Sequence, residues 1–488
     1  MEQPAPEPLL LIGGRLRAAS DGGTFPIVSP ATGQVIGHAP DATDADASAA
    51  IDAARRAFDE SAWARDPKLR AHCLRQLRAA LDADFEALRE ITIAEAGAPR
   101  MWTEGPQLRI PVDGLDYLVD LLEGYEWERD LGPARPMGIP TRRRVTREPA
   151  GVVGAITPWN FPNQINLAKL GPALAAGCTV VLKPAPDTPW TGAELGRLIA
   201  IQTDIPPGVV NVLTSSRSAI GELLTRDPRV DMISFTGSTA TGRAVMAAAA
   251  PTLKKVFLEL GGKSAAIVLD DYDVAMAASL TAFGACVHAG QGCALTTRLI
   301  VPRAGYGEAV AACAQTMRGV TVGDPADPAT VCGPVISAAQ RDRIESYLSS
   351  ALADGGSFAC GGGRVEGRPD GFWIEPTVIA GLDNSARAAR EEIFGPVLVV
   401  LAHDGDDDAV AIANDSPYGL SGAVFGTDLA RARAVAARIR TGTIGINGGV
   451  WYSPDVPFGG YKQSGIGREM GVAGFEEYLE IKSIAEPA

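Results

Sequence analysis

Between residues 151 and 260 the chain alternates strand-like and helix-like segments without a break. The runs "GVVGAIT", "CTVVLK", "VVNVLT", "VDMISF" and "KKVFLEL" are rich in β-branched residues and apolar almost throughout. A half-exposed strand would alternate apolar and polar residues. Continuous apolar runs therefore predict a parallel sheet covered by helices on both faces. The segments between them have helical character. "NQINLAKLGPALAA" carries Pro172 as a potential kink and ends before Gly177, which is placed to cap it. A second helix spans about 190 to 202, and "TATGRAVMAAAA" stops at Pro251. In such sheets ligands sit outside the carboxyl ends of the strands. The loops that matter are then "PWNFP", "PAPDTP" and "TGST".

With 488 residues the chain is too long for a single core. A second mixed α/β stretch runs from about 261 to 450 and includes "SAAIVLDD", "TTRLIVP", "GPVLVVL" and "GTIGIN". Residues 45 to 100 read as helices. Residues 131 to 147, rich in Pro and Arg, and the alternating tail "EYLEIKSIA" look extended and suggest an arm that pairs with another subunit. The expected organisation is a Rossmann-like parallel-sheet unit (1–130 and 149–258), a second α/β unit (259–450) and a small extended arm (131–148 and 475–488).

A net charge of −14 makes nucleic acid and anionic membranes unfavourable partners. No apolar run approaches the roughly 20 residues of a membrane helix, and no basic segment precedes the short run "LLLI", so the start does not read as a signal peptide. The seven cysteines are scattered, odd in number and free of any C-x-x-C pair. That pattern argues against a zinc site or a disulfide framework and for reduced thiols in a cytoplasm.

One cysteine stands apart. In "HAGQGCALTT" Cys293 is flanked by Gly290, Gly292 and Ala294, with Gln291 the only bulky near neighbour. Small neighbours leave the sulfur room for a substrate, as a reactive thiol requires. Other segments offer partners. In "SFTGSTATGR", Gly237 and Gly242 lie at a strand-to-helix junction with Ser238 at the N-cap, where free N–H groups and the helix dipole favour a phosphate. The segment is neither G-x-G-x-x-G nor a P-loop, and alone it reads first as a plain capped helix start. "GIGREMG" has no preceding strand and reads as a decoy. "LELGGKS" puts Glu259 at a strand end beside a glycine pair, where a carboxylate can activate water. "TPWNFP" puts Asn160 at another strand end, where its amide could donate to an oxyanion or serve its own turn.

Taken in order, "TPWNFP", "FTGSTATG", "LELGGKS", "GQGC", "EEIFGP" and "PFGGYKQSGIGRE" span some 320 residues, with Glu259 thirty-four residues before Cys293. This ordered set resembles the NAD(P)-dependent aldehyde dehydrogenase superfamily, and "IGGR" and "SPATGQVIG" extend the resemblance over essentially the whole chain. The resemblance implies that Cys293 is the nucleophile, Glu259 the base for deacylation, and Asn160 with the Cys293 N–H the oxyanion hole. It implies that Lys169 and Glu469 form a proton path. It also implies a cofactor site made by Thr157, Pro158, Trp159, Lys183, Gly237, Ser238, Gly242, Glu392 and Phe394, with Lys183 on the adenosine ribose and Glu392 on the nicotinamide ribose. Where the family often has a ribose-binding glutamate, three residues after the lysine, this chain has Pro186. Either NAD or NADP is then expected as cofactor.

His288 stands where relatives commonly have asparagine, five residues before the cysteine. Gln164 and Ala168 replace bulkier tunnel residues, and Ala168 implies a wider tunnel with Trp451, Tyr452 and Phe458 as aromatic walls. The expected activity is oxidation of an aldehyde of medium size, aliphatic or aromatic, to a carboxylic acid through a cysteine thiohemiacetal and thioester, by a cytoplasmic homodimer or homotetramer. Three other readings compete. An acylating relative would pass the thioester to coenzyme A and tends to lack the base. A catalytically silent scaffold would lack the cysteine or Asn160. A cofactor-free cysteine hydrolase would want a histidine partner, and only His288 is near in sequence.

Overall fold

The computed structural model describes residues 8–488. Its first sheet has eight strands. In spatial order they are Gly465–Ile466, Lys255–Glu259, Met232–Thr236, Val152–Ile156, Thr179–Lys183, Val210–Val212, Leu10–Ile12 and Arg15–Arg17. The five central strands, from Lys255–Glu259 to Val210–Val212, are parallel. They are the five apolar runs of the sequence, and nearly every residue in them is buried. The chain starts at Val152–Ile156, winds outward through Thr179–Lys183 to Val210–Val212, then returns to build Met232–Thr236 and Lys255–Glu259 on the other side. Winding reverses between Val152–Ile156 and Met232–Thr236. Loops leaving these two strands diverge to opposite faces and open a crevice there.

Helices Pro162–Ala176, Pro189–Gln202, Ser218–Arg226 and Thr239–Ala249 make the crossovers. Pro172 lies inside the first of them and leaves the Ala168 carbonyl without its helical donor. Gly177 caps that helix at φ 98°.

The second sheet has seven strands, ordered Ser357–Cys360, Thr377–Ala380, Val397–His403, Thr296–Pro302, Ser264–Val268, Gly422–Phe425 and Gly445–Ile446, with only the first pair antiparallel. Residues 260–263 join the last parallel strand of one sheet to Ser264–Val268 of the other. The carboxyl ends of the first sheet thus abut the start of the second. The predicted α/β class with a parallel cofactor-type sheet and a second α/β unit is what the chain adopts. Strands Glu128–Ala134, Thr141–Pro149 and Leu479–Pro487 form a separate antiparallel sheet. It carries the exposed Leu131, Met137, Ile139 and Ile481.

Two features were not foreseen. Gly465–Ile466, within the segment dismissed as a decoy, pairs antiparallel with the strand that ends in Glu259. Its role is to close the sheet edge, with Leu260 N–H donating to Ser464 O at 2.9 Å. The second feature is a buried arginine. Arg298 donates to the Ile412 and Ala413 carbonyls at 3.2 and 3.0 Å, to Lys263 O at 3.0 Å and to Asn384 Oδ1 at 2.7 Å. The first two carbonyls belong to the last turn of helix Asp406–Asn414, which has no further intrahelical donors for them.

Among the described residues no helix is long and apolar enough to cross a membrane. Replacing Arg298 by methionine keeps the volume but strands these acceptors in a buried site. The expected loss is about 2–4 kcal/mol of unfolding free energy by urea titration; an unchanged midpoint would contradict the assigned role.

Candidate active site

The crevice at the winding reversal is a cleft of about 730 Å³. Its walls are Pro158, Trp159 and Asn160 from one strand end, Thr236, Gly237 and Ser238 from the next, Leu260 and Gly261 from the linker, and Cys293, Gln340, Arg343, Glu392 and Phe394 from the second unit. Eight of the residues expected from the sequence (Pro158, Trp159, Asn160, Gly237, Ser238, Cys293, Glu392 and Phe394) therefore share one cavity. Ser238 caps helix Thr239–Ala249, its Oγ accepting from Thr241 N–H at 3.2 Å. The start of this helix, next to the cleft-lining Ser238, is a favourable place for an anion. Trp159 meets Phe394 edge to face at 5.3 Å, and Phe394 is held in the left-handed region at φ 62°.

Other expected residues lie around the cleft rather than on its wall. Thr157 is buried and donates its hydroxyl to Asn166 Oδ1 at 2.7 Å. Gly242 is buried beneath Leu260, whose Cδ2 would lie 2.6 Å from a Cβ, so helix packing accounts for it. Lys183 is buried with only two long contacts, to the Pro184 and Ser215 carbonyls, both at 3.4 Å. Burial pushes its ammonium down to about 8. Pro186 is exposed beside it.

Backbone geometry fixes the cysteine. His288, Ala289 and Gly290 are all left-handed, at φ 47°, 52° and 72°. At Gly290 a Cβ would fall 2.0 Å from the Gly395 carbonyl oxygen, so no side chain fits. At Gly262 a Cβ would fall 2.6 Å from the Cys293 carbonyl oxygen. Gln291 anchors the turn from within, donating to His288 O at 3.1 Å and accepting from Ile336 N–H at 2.8 Å. The small residues around Cys293 were expected to clear space for the sulfur. The structure corrects this: Gly290 is small because the backbone of 395–396 presses on it, and a Cβ at Gly292 would meet Leu295 at 2.9 Å.

His288 is also explained. Histidine tolerates the left-handed region better than most residues, as asparagine does. Its ring is buried edge to face on Phe161 at 5.3 Å, and burial pushes its pKa down to about 4. A neutral, packed imidazole is a poor partner for a thiolate, which counts against a cysteine hydrolase.

Cys293 is half-buried. Its thiol is pushed well above the usual range by burial first, then by the negative charges of Glu259, Glu392 and Glu469. Asn160 is buried, and its Nδ2 donates to Gln291 O at 2.8 Å, which ties the amide to the cysteine turn. The carbonyl of Asn160 is itself held by Gln107 Nε2 at 2.9 Å.

Glu259 is 1% exposed, and neither carboxylate oxygen has a protein hydrogen-bond partner. Burial, reinforced by the Glu469 charge, raises its pKa well above the carboxylate range. An uncompensated buried carboxylate holds its proton. Lys169 and Glu469, the expected proton-path pair, form a fully buried ion pair at 2.8 Å. Lys169 also donates to Ser234 Oγ at 3.2 Å and stacks over Phe257. Glu392 accepts from Gly262 N–H at 2.9 Å, and burial raises it to about 7.

Sequence reasoning missed Arg343 and Gln340. Arg343 donates to the Glu392 carbonyl at 2.7 Å, and Gln340 donates to the Ile393 and Phe394 carbonyls at 3.1 and 2.7 Å. Both lie on helix Ala338–Ala353, far from any motif, so nothing in their sequence context marked them.

A family model described as "Aldehyde dehydrogenase family" matches residues 17–484. A 3-succinoylsemialdehyde-pyridine dehydrogenase of Pseudomonas sp is 40% identical over 467 residues, covering 94% of each chain. A geranial dehydrogenase of Castellaniella defragrans is 40% identical over 478 residues, covering 97% of this chain and 98% of the relative. A cysteine-to-alanine variant of aldehyde dehydrogenase C from Pseudomonas syringae, solved in complex with NAD+ and octanal, superposes with a TM-score of 0.94 at 40% identity over 99% of this chain and 98% of that one. With a buried carboxylate, an amide and a thiol gathered at the end of a parallel sheet, and similarity along nearly its full length, the chain belongs to the aldehyde dehydrogenase family.

Proposed function

We propose that this chain oxidises an aldehyde to the carboxylic acid with NAD or NADP, and that Cys293 is the nucleophile. The observation that carries the reading is the shared cleft: the one half-buried cysteine, the other six being buried, lies in the same cavity as Ser238 at a helix N-terminus and Glu392. The cavity fits a nicotinamide dinucleotide on its own chemistry. Thr236 Oγ1 is buried in the wall without a partner, Lys183 has donor capacity to spare, and a helix N-terminus waits for a phosphate. Lys183 would hold the adenosine ribose, Ser238 and Trp159 would flank the pyrophosphate, and Glu392 and Phe394 would hold the nicotinamide end. When bound, the dinucleotide supplies the acceptor for the hydride that leaves the cysteine-bound tetrahedral carbon.

The chain's own residues do the rest. Cys293 gives its proton to solvent, and the thiolate sulfur adds to the aldehyde carbon. The Asn160 amide and the Cys293 N–H stabilise the resulting oxyanion. Glu259, once deprotonated, takes a proton from the water that attacks the thioester, and the thiolate leaves. The Lys169–Glu469 pair gives that proton a route from the buried carboxylate.

We assign residues 1–130 and 149–258 to cofactor binding, 259–450 to catalysis, and 131–148 with 475–488 to an arm joining copies of the chain as a dimer or tetramer. The apolar side chains exposed on that arm support the last point. Scattered free cysteines support a reducing, cytoplasmic setting.

Three outcomes are expected. Cys293→Ala should form no reduced cofactor, and Glu259→Gln should give a burst of about one equivalent and then turn over on the order of 100-fold more slowly, read by absorbance in a stopped-flow instrument. Full steady-state turnover in Glu259→Gln would remove the base from its role. Because Glu259 and Cys293 both have raised pKa values, their reactive, deprotonated forms are lost as pH falls. kcat/KM, which ends at acylation, should therefore climb towards alkaline pH with the thiol, and kcat should climb as Glu259 loses its proton; flat or falling profiles would contradict this. Finally, Pro186 brings neither acceptors for ribose hydroxyls nor charge against a 2′-phosphate. NAD and NADP should be used with efficiencies within roughly tenfold of each other; a preference of several hundredfold for NAD would be the contrary result.

A further inference from the structure

Beside the cleft lies a second cavity, of about 520 Å³, enclosed between helix Arg109–Gly124, helix Pro162–Ala176, residues 452–454 and residues 470–475. None of its fifteen lining residues carries a charge. The wall is aliphatic and aromatic, with Leu115, Leu118, Leu167 and Met470 among its members. Its main polar feature is Gln164 facing the Tyr452 hydroxyl.

The cavity is set against the catalytic groups. Ala168 precedes Lys169, Met470 follows Glu469, and the Tyr452 phenol lies within electrostatic reach of Glu469 and Cys293. Two positions set its width. Ala168 presents only a methyl group to it, and at Gly114, on the opposite helix, a Cβ would stand 3.5 Å from Pro454 Cγ. A larger side chain at either position would project into the space. Asp455, the acidic neighbour of the lining Pro454, does not itself line the cavity and is engaged by Ser453 Oγ.

We infer that this cavity takes the tail of the aldehyde, and that the substrates are uncharged apolar aldehydes with a branched or cyclic tail, selected by the missing side chains at Gly114 and Ala168. The inference rests on the reading of Cys293 as the nucleophile. Desolvating an ammonium or carboxylate against these walls would find no counter-charge. Each methylene buried there is worth about fourfold in kcat/KM, the equivalent of roughly 0.8 kcal/mol.

The test is a kcat/KM panel on the full-length enzyme with propanal, hexanal, cyclohexanecarbaldehyde, 3-phenylpropanal, betaine aldehyde and succinic semialdehyde. The two cyclic aldehydes should exceed both charged ones by at least about tenfold. In Ala168→Phe the ratio of cyclohexanecarbaldehyde to propanal should fall by about tenfold or more, and Gly114→Leu provides the same readout from the other wall. A charged aldehyde preferred by the unaltered enzyme would overturn the inference, as would an unchanged ratio in both variants. If propanal is oxidised and these preferences are absent, only the substrate class fails. If no aldehyde in the panel is oxidised, the parent reading fails with it.

Discussion

The site depends on a backbone contact that leaves no room for a β-carbon. The turn carrying Cys293 is pinned on one side by Gly290 against the carbonyl of Gly395, and on the other by Gly262 against its own carbonyl oxygen. Three consecutive left-handed residues lead into it, at a conformational cost that only tight surrounding packing can hold in place. Because Gly262 belongs to the linker that begins one residue after Glu259, the same contact sets the distance between thiol and carboxylate. Because Gly395 follows Phe394, it also sets the thiol against the wall bearing Glu392. A few hard-sphere contacts thus bring together groups from three remote parts of the chain.

Electrostatics then decides the resting state. Glu259, Glu392 and Glu469 surround one thiol, and burial disfavours charge on Glu259, on Glu392 and on the thiol itself. Only Glu469 has a close cationic partner, Lys169, in a pair wholly removed from solvent. Burial and these charges therefore favour the neutral forms of the thiol and of Glu259. The apolar cavity next to them contributes no charge of its own.

Much of this was legible in the sequence, for identifiable reasons. The five parallel strands announced themselves because strands buried on both faces cannot alternate. Cys293, Glu259 and Asn160 were legible because each sits in a short motif at a strand end or turn. The reason for the glycines around Cys293 was misjudged, since sequence shows that a residue is small but not what presses on it. Gly465–Ile466 was dismissed because an antiparallel edge of two residues leaves no periodicity to detect. Arg343, Gln340 and Arg298 escaped notice because their importance lies in which distant carbonyls they reach. Burial of the Lys169–Glu469 pair was likewise a tertiary fact, joining residues 300 positions apart.

The central claim is that one sulfur holds the substrate carbon while hydride leaves it in the same cleft. The most direct measurement is mass spectrometry of Glu259→Gln quenched in acid after mixing with an aldehyde and oxidised cofactor. An acyl group should appear on the peptide containing Cys293, and only when cofactor is present. An acyl adduct on another residue, or one that forms equally well without cofactor, would contradict the account.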